Sequence, residues 1–147
     1  MSRQFITFEV GDRRLAIEIM AIREIRAWSP VTALPSVPSH VVGVVNLRGV
    51  VLPVTDLRQL LGWGATETTP RHVIIVFQIG GQLRGIIVDA VHDIATLAAE
   101  QIQPVPDIGE NESARLLEGI ATIEGNLIMV LDLAQLGEPG DRLAEAA

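Results

Sequence analysis

Two aspartates stand at matching places in this chain. Asp56 lies in GVVNLRGVVLPVTDLRQLLG (residues 43–62), and Asp132 lies in GIATIEGNLIMVLDLAQLGE (residues 119–138). Two carboxylates brought together by a duplication can share one proton and divide acid and base roles between them. Enzymes of that kind place a small hydroxyl residue and a glycine after each aspartate, so that backbone can close on the pair. Here Leu57 and Leu133 follow. An aspartate ahead of a short helical run reads better as an N-cap, which leaves an aspartate-dependent hydrolase as the weak alternative. His40, His72 and His92 are dispersed and lack metal-ligand spacing. The serines lack a nucleophile elbow. Gly80-Gly81 has no phosphate-loop lysine after it. Cysteine is absent, which removes disulfides and thiolate metal sites. The residues therefore predict no catalytic set, no metal and no cofactor. One side chain is left over: Arg48, at the tip of Asn46-Leu47-Arg48-Gly49, where the second copy has Glu124.

The elements that carry these residues are duplicated as well. Gly43, Gly49, Val54, Asp56 and Leu57 fall on Gly119, Gly125, Val130, Asp132 and Leu133, a shift of 76 positions. Upstream, FEVGDRRLAIEIMAIREI at 8–25 aligns with FQIGGQLRGIIVDAVHDI at 77–94, a shift of 69. Pro35 and Pro104 keep the shift of 69, so seven extra residues are expected within PVPDIGENESARLLEG. Gly11-Asp12 and Gly80-Gly81 are flanked by β-rich runs and read as hairpin turns. Residues 5–10 alternate in the manner of a half-buried strand. The unbroken run VIIVF at 73–77 reads as a strand buried on both faces. Further strands are expected near 15–19, 22–27, 43–47, 50–54, 83–88, 91–96, 117–123 and 127–131. Short helices are expected at 56–61 and 132–136, with Gly62 and Gly137 past their ends.

The fold expected is all-β: two small five-stranded barrels that bury an apolar face against each other, since each half alone is near the lower size limit of a stable domain. Subdomain 1 is expected at about 14–71 and subdomain 2 at about 72–137, with the N-terminal strand free to swap between them. Residues 62–71 form the linker and 138–147 a tail.

The chain has 147 residues and is 48% apolar, enough for a sizeable core. No apolar run approaches a membrane span, and the N-terminus has no secretory pattern, so a cytoplasmic protein is expected. The net charge of −7 argues against nucleic acid. All eleven basic residues are arginine. A duplicated unit without chemistry points to a binding scaffold.

With the repeat in view, the chain resembles the CheW family of bacterial chemotaxis adaptors over about residues 5–137. GVVNLRGVVLPVTDLR is similar to the family's "INLRG…IPVIDLR" signature, and AIEIMAIREI, VTALPSVPSHVVGVVNLRG, GIIVDAVHDI and GIATIEGNLIMVLDL reinforce it. The resemblance implies two SH3-like five-stranded barrels. It also implies a non-catalytic role coupling the helical tip of transmembrane chemoreceptors to the regulatory domain of the histidine kinase CheA, with no insertion into the membrane. The same fold serving another array, such as pilus-based motility, is the alternative. Carried over, the receptor-facing positions are Ile22, Glu24, Gly43, Arg48 and Ile94, with Asn46, Leu47 and Gly49 as the supporting turn. Ile22 and Ile94 would be apolar anchors, and Glu24 and Arg48 would set polar register. Gly43 also reads as a backbone requirement.

Overall fold

A computed structural model describes residues 2–106 and 115–136. Its strands are β1 (Ser2–Val10), β2 (Arg13–Glu18), β3 (Ile22–Ala27), β4 (Val41–Leu47), β5 (Val50–Asp56), β6 (Val73–Ile79), β7 (Gln82–Val88), β8 (Ala90–Ala98), β9 (Leu117–Ile123) and β10 (Asn126–Leu131). Helix α1 (Leu57–Leu60) follows β5, and a second helical turn occupies 133–136. Every strand and both short helices expected from the residue pattern are present. Gly137 and the tail at 138–147 lie outside the described residues.

The strands form two five-stranded sheets, in the orders β8-β1-β2-β10-β9 and β3-β6-β7-β5-β4. Replacing each strand of the first order by its repeat mate generates the second. The chain is thus a pseudo-symmetric pair, as the duplication requires. The sheets do not follow the two halves of the sequence, however. The whole hairpin β1–β2 sits with β8, β9 and β10, and β6–β7 sits with β3, β4 and β5. Residues 14–71 and 72–137 therefore do not each make a sheet, and the exchange involves a hairpin from each half rather than the N-terminal strand alone. The join is parallel in both sheets: Val130 lies opposite Ala16, and its mate Val54 lies opposite Gly85. Hairpin pairing is local and closes quickly, whereas these parallel joins need the other half of the chain.

The exchange explains where the core sits. Phe8, Leu15 and Ile17 of the first hairpin meet Ile75, Phe77 and Ile86 of the second in one buried cluster, each at most 1% exposed. Separating the sheets would expose these six side chains at a cost of roughly 9–18 kcal/mol, as large as the whole stability of a typical domain. The two sheets are therefore one folding unit. The opposite faces carry their own clusters, Leu52, Val54, Ile74 and Val76 in one sheet and Phe5, Leu97, Ile128 and Val130 in the other. β6 feeds the central cluster through Ile75 and Phe77 and the outer one through Ile74 and Val76, which is why its sequence is continuously apolar.

Polar contacts tie down the periphery. The Asp56 side chain caps α1 through the Gln59 amide (3.5 Å) and also accepts from the amide and hydroxyl of Thr66, both at 2.7 Å. It therefore fastens the linker as well as the helix. Trp63 packs on the central cluster and carries the Arg13 guanidinium 4.1 Å from its ring. At the far end of the linker, the His72 ring lies 3.1 Å from an Asp89 oxygen, whose mate accepts from the Gly11 amide at 2.7 Å. Across the first sheet, Arg3 donates to Glu18 at 2.6 Å and to Glu118 at 2.9 Å. The hydrogen bond to Glu118, with that to Glu18, holds the Arg3 guanidinium above the usual range for its type.

One detail of the repeat needs correction. The equivalent bridges Thr32–Val44 and Gln103–Ile120 are 76 apart on one side but 71 on the other. Two of the extra residues therefore precede Gln103, where a tight turn spans Ala99–Gln101, and Pro104 is not the counterpart of Pro35. The expected site of the remainder reaches into 107–114, outside the described residues.

Candidate functional site

Strand β3 is an edge strand of its sheet and alternates strictly: Ile22, Glu24 and Arg26 are half-buried while Arg23, Ile25 and Ala27 are exposed. Side chains on a strand point to opposite faces in turn, so Glu24, Arg26 and then Trp28 share one face, while a bulge at Arg23 sets Ile22 opposite Phe77 and Glu24 opposite Val76 and so turns Ile22 to the other face. Ile22 therefore packs on the central cluster, with Phe77, and is not part of that stripe.

The turn joining β4 and β5 faces the same stripe. Leu47 pairs with Val50, which leaves Arg48 and Gly49 as a two-residue loop. Both have positive φ, 49° and 88°. That is the twist a tight hairpin wants, normally supplied by Asn-Gly. Arg48 accepts a left-handed backbone that the hairpin imposes, as its mate Glu124 does at φ 51°. Asn46 steadies the turn by accepting from the Gly49 amide at 2.8 Å. Leu47 turns inward and is 7% exposed in the cluster of this sheet.

This geometry sends Arg48 across the gap to Glu24, where its guanidinium donates to Oε2 at 2.8 Å. The Arg48 side chain is 76% exposed and that of Glu24 is 27% exposed. Glu24, Arg26, Trp28, Asn46, Leu47 and Arg48 line one concavity of about 400 Å³. Glu24, Arg48, Asn46 and Leu47, expected as site residues, are thus brought together. Sequence reasoning does not single out Arg26 and Trp28; the period-2 alternation running on from Glu24 is the signal that finds them. The Nε of Arg26 and the Nε1 of Trp28 are buried without a hydrogen-bond partner.

Gly43 plays a different part. A Cβ there would lie 2.0 Å from the Thr32 carbonyl oxygen, at the bridge that folds 32 back on 44. Its mate Gly119 faces the Gln103 carbonyl oxygen at 2.4 Å in the same way. The glycine lets the segment before β4 lie against the strand.

Ile94 is not part of the Arg48 concavity. It is 58% exposed on β8, the edge strand of the other sheet. It lines a second hollow of about 470 Å³, together with Asp93, Thr122, Ile123 and Glu124. The two hollows share no lining residue. They are repeat mates: Asp93, Thr122, Ile123 and Glu124 stand where Glu24, Asn46, Leu47 and Arg48 stand in the first. The five expected residues therefore fall on one hollow, one mate of that hollow, the central core and a backbone crossing.

The paired aspartates do not converge. Asp56 holds α1 and Thr66, while Asp132 accepts from the Ala134 amide at 3.0 Å at the other helical turn. Each carboxylate is committed to its own helix start. Among the described residues no group of His, Asp and Glu is arranged to hold a metal. No helix among them is long and apolar enough to cross a membrane.

Residues 4–138 match the CheW-like domain family. The chain is 47% identical over 131 residues to the Chemotaxis protein CheW of Rhizobium meliloti (strain 1021), covering 89% of this chain and 84% of that one. It is 33% identical over 124 residues to Protein FrzA of Myxococcus xanthus, covering 84% and 77%. Its fold superimposes on the scaffolding protein TtCheW from Thermoanaerobacter tengcongensis with a TM-score of 0.81 and 30% identity, covering 90% of this chain and 86% of that one. With two mated sheets, a signature turn held by an ion pair and both aspartates spent as caps, the chain belongs to the CheW-like domain family of chemotaxis adaptors.

Proposed function

We propose that this chain couples the cytoplasmic tip of transmembrane chemoreceptors to the regulatory domain of the histidine kinase CheA, without chemistry of its own, in the cytoplasm. The observation that carries the reading is the Glu24–Arg48 pair across an open concavity. Arg48 is mostly exposed, so its pair with Glu24 is worth only about 0–1 kcal/mol to stability. The mated turn holds Glu124 in the same left-handed backbone, so that strain belongs to the hairpin; what favours a partner is an exposed ion pair of so little worth to the fold at the rim of an open hollow. A receptor tip is a helical hairpin, and a helix laid in the hollow would meet Leu47 and Trp28 below and the ion pair at the rim.

Titration calorimetry of a receptor cytoplasmic fragment against the Arg48→Glu variant tests this. Binding is expected to weaken by about tenfold or more, as for a like-charge contact introduced at an interface, with the melting curve within a degree or two of the parent. Unchanged affinity in a folded variant would remove the hollow from the receptor surface. The match to FrzA is consistent with a second reading, the same coupling role in a different chemosensory array such as one for pilus-based motility. Pull-downs against each candidate receptor separate the two.

A further inference from the structure

The two mated hollows carry opposite charge. Around the first stand Arg26 and Arg48 against Glu24, an excess of one positive charge on a chain whose net charge is −7. Around the second stand Asp93 and Glu124 against Arg14, an excess of one negative charge. His92 also borders the second and lies 3.6 Å from Glu9. The inversion comes from two replacements at mated positions: Arg26 has become Ala95, and Arg48 has become Glu124.

Arg48 has Glu24 as its partner. The Arg26 side chain has no hydrogen bond or ion pair among the described residues, and its Nε is buried. Trp28, two residues along the same face, leaves its indole N–H buried and unpartnered. A half-buried guanidinium without a counter-ion beside an unsatisfied donor is costly in the free protein. A partner acceptor cannot reach the two buried atoms themselves, but it can supply the counter-ion that the Arg26 guanidinium lacks. A carboxylate suits this best, because it supplies the missing charge and can accept from several N–H groups at once.

We propose that the first hollow is built to receive an Asp or Glu side chain of the docked helix, with Arg26 as its counter-ion, and that the second hollow excludes the same helix by charge. This rests on the reading that a receptor tip docks at Arg48. It adds the residue that selects the partner, the chemistry the partner must present, and the reason only one of two mated hollows accepts it.

Titration calorimetry of the receptor fragment and, separately, of the kinase regulatory domain against the full chain, Arg26→Gln and Arg26→Lys tests this. The mated position holds Ala95, so loss of the arginine is compatible with the strand. Receptor affinity is expected to fall by about tenfold in Arg26→Gln, as for a lost charge-assisted hydrogen bond, and to recover partly in Arg26→Lys. One carboxylate-to-amide substitution in the receptor helix should weaken binding to the parent but add nothing in the Arg26→Gln background. Receptor binding within twofold for parent and Arg26→Gln overturns the proposal and leaves the docking site standing. If the receptor fragment fails to bind the parent, the docking reading falls. The carboxylate proposal then survives only if kinase-domain binding shows the same dependence on Arg26, and is overturned if it does not.

Discussion

At the residue scale, the account turns on side chains whose local cost buys no stability. Arg48 occupies a backbone region that suits Asn or Gly. Arg26 and Trp28 leave donors unpaired on the same face. These three positions each break a local rule, and they converge on one hollow. His40 breaks the same rule outside that hollow. Its Nε2 is buried without a partner, and burial pushes its pKa below the ordinary value of 6.5. The folded chain therefore binds fewer protons here than the unfolded chain. His40 contributes no penalty above pH 6.5, and stability is lost as pH falls below 6.5 toward the lowered folded value. Urea midpoints measured on either side of pH 6.5 should show a shallower decline for His40→Gln than for the parent; equal slopes would show that His40 titrates alike in both states.

At the element scale, the repeat accounts for the pairing of strands and the close crossings. Gly43 and Gly119 are required by the same contact in each sheet, a carbonyl oxygen where a Cβ would sit. Gly43→Ala and Gly119→Ala are each expected to cost roughly 1–3 kcal/mol, the range for forced overpacking, read as a lower denaturant midpoint with unchanged slope. A midpoint equal to the parent's would mean that the 32–44 crossing gives way without cost. The strands themselves were legible, because the alternation at 5–10 and the apolar run in β6 are direct signatures of strands. Asp56 was legible as a cap from its place before Leu57, but its grip on Thr66 was not, since that contact spans ten residues of linker. The split of Ile94 from Arg48 was hidden for a related reason. A strand's face is local, but the sheet it joins is decided by the parallel join to the other half of the chain. The same blindness hid the place of the extra residues, which only the Gln103–Ile120 bridge reveals.

At the scale of the whole molecule, the exchanged hairpins turn two like halves into one cooperative body. Neither sheet can be completed from one half of the chain. Fragments 1–71 and 72–147 made separately should each lack the circular dichroism of the parent, and mixing them should restore it in a one-to-one complex on gel filtration. A native spectrum from either fragment alone would contradict the exchange. The duplication then serves the adaptor role by making two mated hollows, which divergence at Arg26/Ala95 and Arg48/Glu124 has given opposite charge. A scaffold needs distinct surfaces that can be filled together, and weak contacts suffice when many copies act side by side. The most direct test of that role is co-sedimentation of the kinase regulatory domain with receptor-bearing membranes, with and without this chain. The account predicts that the kinase domain pellets with the receptor only when the chain is present, and far less with Arg48→Glu. Receptor and kinase domain competing for the chain, or failing to meet through it at all, would contradict the account.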